Sequence, residues 1–185
     1  MLDKDKIIAN TKKYFKTAEP FITEELTTFL GQDFITAPAS TSNNLNNSFE
    51  GGLIDHLLRT TKFAIIINSA LPASLKLGQE EIIKVCLLYQ IGKAHAFAPN
   101  LSDWNQKNGK FYDFRNELVS MSIGERSAYY AQAYGVKLSE KEFQAIVNHD
   151  KDDSDRQAKF FTSTLGTLLK QANDWAIIEE KILNK

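Results

Sequence analysis

Residues 51–65 read GGLIDHLLRTTKFAI, and this stretch indicates what kind of fold the chain adopts. Apolar side chains recur at helical spacing from Leu53 to Ile65, directly after a flexible pair of glycines. The pattern predicts an α-helix that carries His56 near its start. Histidine is scarce, with 3 in the chain, so any metal or acid–base site must draw on these few or on carboxylates.

The same spacing recurs on both sides of this helix. Gly92 and Gly135 are typical helix stops, and Ser139 with Glu142 three residues later predicts a capping box that opens a helix. The periodic segments lie at about residues 7–15, 21–30, 53–65, 79–89, 117–134, 139–147 and 157–183, the last as one helix or a pair. The sequence therefore predicts an all-α globule of about seven helices.

Two segments interrupt the helical pattern. Residues 38–50 are rich in turn formers and predict a surface loop that leads into the glycine pair. Residues 104–112 contain Asn108-Gly109, which is typical of a two-residue hairpin turn. We expect a small β-hairpin there, with a plain loop as the alternative. We expect its aromatic side chains to pack on the core, with a stacking surface as the alternative; these are Trp104, Phe111, Tyr112 and Phe114.

Length and composition predict one compact unit. The chain has 185 residues, of which 43% are hydrophobic and 24% charged, and this excludes a disordered protein. We expect residues 1–34 to form N-terminal helices that pack on a domain of residues 35–185. Cys86, the 1 cysteine, lies in an apolar run and is expected to be a buried thiol.

The charge pattern bears on partners and location. With 22 basic and 23 acidic side chains, the chain gives no electrostatic indication of nucleic-acid or membrane binding. The most apolar stretch, residues 63–71, is far shorter than the roughly 20 residues that a membrane span needs. Because the N-terminus alternates charged and apolar residues, it does not resemble a secretory signal. We expect a cytoplasmic protein.

Three segments together resemble a known family. They are Gly51-Gly52-Leu53-Ile54-Asp55-His56, Leu87-Leu88-Tyr89-Gln90-Ile91-Gly92-Lys93 and Ala145-Ile146-Val147-Asn148-His149. Over about residues 35–180 the chain resembles the HD-domain metal-dependent phosphohydrolase superfamily, and is most similar to its small single-domain bacterial and phage members. The resemblance implies a helical fold in which histidines and aspartates bind one or two divalent cations. In that family the cations activate water against a phosphate ester, commonly of a nucleotide.

Some of the ligands that the resemblance implies are present. His56 matches the first histidine of the family, His149 matches a late one, and Asp174 matches the aspartate that closes the site. Asn46 and Asn47 fall near positions where some members carry histidines. The resemblance thus implies that His56, His149 and Asp174 form at most a weak or vestigial metal site. The alternatives are a hydrogen-bonded His56, a solvated helix end at His149 and a capping or ion-pairing role for Asp174.

The defining pair of the family is replaced. Tyr89-Gln90 stands where His-Asp precedes Ile-Gly-Lys, and Ile123 stands where another histidine is expected. A tyrosine phenol is neutral at working pH and a weak ligand, a glutamine offers a neutral amide, and an isoleucine offers no donor. Since loss of second-shell partners alone costs roughly 10–100-fold in metal affinity or activity, loss of direct ligands should cost more.

These substitutions predict a degenerate HD-domain protein with no catalytic residue. We expect a residual pocket with a phosphate-facing or merely surface-exposed Lys93, and its expected members are His56, Tyr89, Gln90, Lys93, Ile123, His149 and Asp174. No cofactor is expected; the alternative is one divalent cation, Mn, Ni, Fe or Mg.

Three functions are open at this point. The leading hypothesis is a non-catalytic protein that binds a nucleotide-like small molecule or a protein partner. The alternatives are a metal-dependent nucleotide phosphohydrolase or phosphodiesterase with an atypical site, and a structural or assembly protein.

Overall fold

The computed structural model describes residues 2–151 and 163–183, and the predicted all-α fold is confirmed. These residues form eight α-helices and one two-stranded sheet. The helices are α1 Lys4–Ala18, α2 Glu24–Thr36, α3 Gly52–Ala70, α4 Gln79–Leu88, α5 Asp103–Lys107, α6 Ile123–Ala133, α7 Glu140–Val147 and α8 Thr164–Leu183. The part of the predicted last helix that precedes Ser163 lies outside the described residues.

Helix α3 lies at the centre of the fold and packs against α1, α2, α4 and α8. It begins at the glycine pair, as predicted. Gly51 adopts φ +76°, and a Cβ on Gly52 would lie 2.2 Å from the backbone oxygen of Asn47. The first residue therefore supplies a left-handed turn and the second a close approach of two backbones, both of which favour glycine.

One hydrophobic core includes both the N-terminal helices and the rest of the chain. Tyr14 of α1 and Leu26 of α2 are fully buried in the same cluster as Leu53 of α3 and Leu169 of α8. The Tyr14 hydroxyl also donates to the backbone oxygen of Leu87, at 2.8 Å, and so ties α1 to α4.

The predicted β-hairpin is present, but its strands lie outside most of the predicted segment. Strand β1, Phe97–Pro99, pairs antiparallel with β2, Tyr112–Phe114. The short helix α5 fills the connection, so Asn108-Gly109 ends a helix instead of forming the hairpin turn. The prediction that the hairpin aromatics pack on the core is wrong for Trp104, Phe111 and Phe114, which are 72%, 39% and 55% exposed. The one-turn helix α5 turns Trp104 to solvent.

Two helix starts follow from capping boxes. Ser139 and Glu142 form the predicted box at α7, and Glu142 also pairs with Lys84 of α4 at 2.8 Å. Helix α6 begins at Ile123, later than the predicted residue 117, because Ser122 and Glu125 form a second box there. The pattern Ser-x-x-Glu at 122–125 would have indicated this start.

Residues 38–50 lie partly inside the protein, so the prediction of a surface loop is wrong for half of the segment. Ser40, Asn46, Asn47 and Ser48 are buried. The Ser40 hydroxyl donates to the backbone oxygen of Asn46 and thereby folds the loop onto itself. This arrangement turns the two asparagine side chains toward α3 and α8.

The apolar stretches of the sequence form ordinary packed helices. Cys86 is buried on α4, where burial raises the pKa of its thiol. Within residues 2–151 and 163–183, no helix has both the length and the apolar character that a membrane crossing requires.

Candidate functional site

His56 lies in the second turn of α3 and is completely buried. Its Nδ1–H donates to the Oε1 atom of Glu180 on α8, at 2.8 Å. Its Nε2 atom lies 2.6 Å from the hydroxyl of Tyr89 and 3.1 Å from the Oδ1 atom of Asn173. Both ring nitrogens therefore have protein partners.

Tyr89 lies at the C-terminal end of α4 and is also completely buried. Besides His56, its hydroxyl contacts the Oδ1 atom of Asn173 at 3.0 Å and the Oγ1 atom of Thr60 at 3.0 Å. Burial raises the pKa of this phenol well above its ordinary value, so the group stays neutral. A neutral hydroxyl thus occupies the position that a metal ion bound to His56 Nε2 would take.

Glu180 is the carboxylate of this site, and the sequence did not single it out. It is buried, and its Oε2 atom accepts a hydrogen bond from the Nδ2 atom of Asn46 at 3.0 Å. The guanidinium of Arg59 lies 3.5 Å from its Oε1 atom and is held by Asp55 and Glu179. Hydrogen bonds and a nearby cation thus offset the cost of burying this charge.

These contacts define one group of buried side chains, which we call the polar cluster. Its members are Asn46, His56, Thr60, Tyr89, Asn173 and Glu180. It joins α3, α4, α8 and the loop before α3. Since each member has a hydrogen-bond partner inside the cluster, the group is satisfied without a ligand.

Asp174 does not lie in the polar cluster. It is exposed, and its neighbour Asn173 reaches His56 and Tyr89 instead. The helical spacing of α8 explains this, because Leu169, Asn173, Ala176 and Glu180 follow one another at intervals of three or four and are all buried. Asp174 is one residue further around the helix.

His149, just after α7, is buried rather than part of a solvated helix end. Its Nδ1–H donates to the backbone oxygen of Ile146 at 2.8 Å. Its ring stands edge-on to the ring of Tyr89, with 4.7 Å between the centroids and an interplanar angle of 88°. Burial lowers the pKa of His149 to about 4. His56 and His149 therefore both lie against Tyr89.

The remaining predicted residues line the edge of the cluster or lie apart from it. The ammonium of Lys93 donates to the Oε1 atom of Gln90, at 2.8 Å, and to the backbone oxygen of Ala39. Burial lowers the pKa of Lys93 to about 8. Ile123 is the half-buried first residue of α6 and contributes no polar atom from its side chain.

The helical pattern of α8 contained a signal for the residues that were missed. Asn173 and Glu180 are seven residues apart and continue the buried row that contains Leu169 and Ala176. A polar residue on the apolar face of a helix points into the core and needs a partner there. Thr60 carried the same signal, because Leu57 and Ala64, three residues before it and four after it on α3, are buried and apolar.

The polar cluster does not fit the divalent cation that the HD resemblance implies. The groups around His56 Nε2 are a neutral hydroxyl and a neutral amide, and the one carboxylate, Glu180, is engaged by His56 and Asn46. Among residues 2–151 and 163–183, no three side chains of histidine, cysteine, aspartate or glutamate converge as a metal site would need. Catalytic cations require several N and O donors with carboxylate charge.

Comparison with known proteins adds no relative, since no protein-family model, curated protein or solved structure matches the chain. The HD resemblance therefore depends on the three sequence segments quoted above.

Proposed function

We propose that this is a non-catalytic, HD-domain-like protein whose ancestral metal pocket has become a structural polar cluster, and that it acts by binding another protein. One observation carries the proposal: the Tyr89 hydroxyl lies 2.6 Å from His56 Nε2. In the family that the sequence resembles, the residue at the position of Tyr89 is a metal-binding histidine.

The chemistry of the cluster argues against hydrolysis by the ancestral route. A metal-bound hydroxide needs a cation, and the cation needs ligands that compensate its charge. Tyr89 is neutral, and the Gln90 amide is bound to Lys93. The carboxylate of Glu180 is engaged by His56 and Asn46, and both ring nitrogens of His56 have partners. Among the described residues, the cluster thus offers neither a free carboxylate nor a vacant nitrogen of His56 for that step.

Burial favours a protein partner over a nucleotide-like ligand. His56, Thr60 and Tyr89 are completely buried, so a nucleotide would have to break their hydrogen bonds to enter. Each buried polar group left without a partner costs roughly 1–3 kcal/mol. Lys93, the natural cation for a phosphate, already donates to two protein oxygens.

Two exposed apolar side chains in the connection between β1 and β2 are available to a partner. Leu101 is 90% exposed, and Trp104 on α5 is 72% exposed. Exposed apolar side chains of this size are typical anchors of protein–protein contacts.

The first test is an activity assay of the purified protein with Mn²⁺, Ni²⁺ or Mg²⁺. The substrates are nucleoside mono-, di- and triphosphates and a p-nitrophenyl phosphodiester. We expect no turnover above the blank and no rise in melting temperature with any nucleotide. Metal-dependent turnover that is lost in a folded His56→Gln variant, but kept in Tyr129→Phe, would overturn the proposal.

The second test concerns the partner. Crosslinking in the native source should give a stoichiometric complex with one protein, and Trp104→Glu should abolish it while preserving the circular-dichroism spectrum. Lys107→Gln, on the same short helix, lowers the net charge by the same one unit and is the matched control. A wild-type protein that crosslinks to no protein at all would contradict binding of a partner.

A further inference from the structure

Helix α8 has a second apolar face besides the one that packs on the core. Trp175, Ile178 and Ile182 are 54%, 46% and 66% exposed. Their spacing of three and four residues places them in one stripe along the helix, as at the a and d positions of a coiled coil. Such a stripe on a helix whose inner face is already buried indicates a docking surface.

Opposite charges follow one side of this stripe. Asp174 and Lys181 immediately precede Trp175 and Ile182 and are exposed, so they occupy equivalent positions seven residues apart. Within the described ranges, neither makes an ion pair. On the other side of the stripe lies Glu179.

Glu179 forms ion pairs within its own chain. Its carboxylate accepts from Arg59 and lies 3.6 Å from the ammonium of Lys62, both on α3. The hydrogen bond from Arg59 lowers the pKa of Glu179. Its negative charge therefore stays beside the stripe.

This arrangement of charges favours a second copy of α8 as the partner, in antiparallel orientation. When two copies of a helix pair antiparallel about a two-fold axis, residues on the same side of the stripe face each other. Asp174 of each copy then faces Lys181 of the other, which gives two attractive pairs. In a parallel pair, Asp174 would face Glu179 of the other copy, and like charges would repel.

We propose that α8 binds α8 of a second copy of this chain, antiparallel and centred near Ile178, and so forms a symmetric dimer. A two-fold interface of this kind uses the same patch on both copies. The proposal does not depend on whether the polar cluster binds a metal. The stripe covers about two helical turns. A contact of that length buries much less area than the roughly 800 Å² per partner of a standard interface, so the dimer should be weak and concentration-dependent.

Sedimentation velocity of the full chain, from low micromolar to near-millimolar concentration, tests the proposal. We expect a monomer–dimer equilibrium in the wild type and a monomer throughout for Ile178→Glu. Because Ile178 is half exposed, this variant should keep its circular-dichroism spectrum and melting temperature. Phe143→Glu, at a similarly exposed side chain on α7, is the matched control and should dimerise like the wild type.

A charge swap tests the orientation. Lys181→Asp should weaken dimerisation about tenfold, as expected for like charges at two symmetric contacts. The double variant Asp174→Lys with Lys181→Asp should restore the wild-type dissociation constant. A wild type that stays monomeric, a dimer that is indifferent to Ile178→Glu, or a charge swap without recovery would overturn the proposal.

Discussion

The phenolic oxygen of Tyr89 contacts side chains on two other helices, so this one residue links three helices. It touches His56 and Thr60 on α3 and Asn173 on α8, while its own backbone ends α4. Under the proposed function, this hydroxyl is the common neighbour of groups that would otherwise surround a metal ion, and it stabilises the fold in place of that ion.

Removing that hydroxyl should destabilise the protein. In Tyr89→Phe, His56 Nε2 and Asn173 lose a buried partner while the aromatic volume remains. We expect the free energy of unfolding to fall by about 1–3 kcal/mol, measured by urea denaturation. The control Tyr129→Phe removes an exposed hydroxyl and should change it by less than about 0.5 kcal/mol. Equal values for the two variants would contradict the structural role of Tyr89.

His149 should make the protein sensitive to acid. Burial lowers its pKa from 6.5 to about 4, with Lys93 and His56 acting in the same direction and Asp150 and the Ile146 carbonyl opposing. Between these pH values the unfolded chain binds a proton that the folded protein excludes, so stability falls as the pH falls. The full loss is about 3 kcal/mol.

The dependence of unfolding free energy on pH checks this prediction. His149→Leu should reduce the slope between pH 6.5 and pH 4, whatever its effect at neutral pH. His95→Gln removes a partly exposed histidine and serves as the control. Identical slopes in the wild type and His149→Leu would rule out His149 as the source of the acid sensitivity.

For single helices, the first residue was predictable where a short sequence motif determines it. The glycine pair before α3 and the Ser139–Glu142 box before α7 are local, because each depends on a few adjacent residues. The start of α6 was equally local, at Ser122, but an overlapping apolar run from Glu117 concealed it. The hairpin strands were misplaced because Asn108-Gly109 is compatible both with a hairpin turn and with a helix end.

The candidate site was harder to predict, since it depends on contacts between distant segments. The HD resemblance implied that His56 and Tyr89 share a site, and the structure joins them. The resemblance also implied Asp174, whereas the direction of the side chains on α8 brings Asn173 to this site. Glu180 lies 124 residues from His56 in sequence, and its role depends on the packing of α8 on α3.

Gly52→Ala tests the entry to α3. An added Cβ would lie 2.2 Å from the backbone oxygen of Asn47, so the loop or the helix would have to shift. We expect a loss of about 2 kcal/mol or more in unfolding free energy, by urea denaturation. Gly78→Ala, before α4, places a Cβ with nothing within 4 Å and should be nearly neutral. A neutral Gly52→Ala would contradict the tight loop–helix contact.

At the scale of the whole molecule, the polar cluster closes the space between α3, α4 and α8. The loop of residues 38–50 adds Asn46, and α7 is followed by His149, so the cluster has neighbours on every side that the structure describes. His56, Thr60 and Tyr89 are completely buried, so the packing resembles that of a core with a few hydrogen-bonded polar groups.

The proposed function predicts that introducing the His-Asp pair of the HD family creates a metal site. Tyr89→His with Gln90→Asp supplies a ring nitrogen and a carboxylate beside His56. We expect the double variant to bind one Mn²⁺ or Ni²⁺, detected by isothermal titration calorimetry. Tyr89→Phe frees His56 Nε2 without adding a donor and should bind none. A folded double variant without metal affinity would contradict the HD resemblance at these two positions.

Calorimetric titration of the wild-type protein with Mn²⁺ and Ni²⁺, after treatment with a chelator, tests the central claim most directly. If Tyr89 has taken the place of a metal ligand, neither ion should bind stoichiometrically with a dissociation constant in the micromolar range or below. Stoichiometric binding that disappears in a folded His56→Gln variant would show that the cluster is a metal site after all.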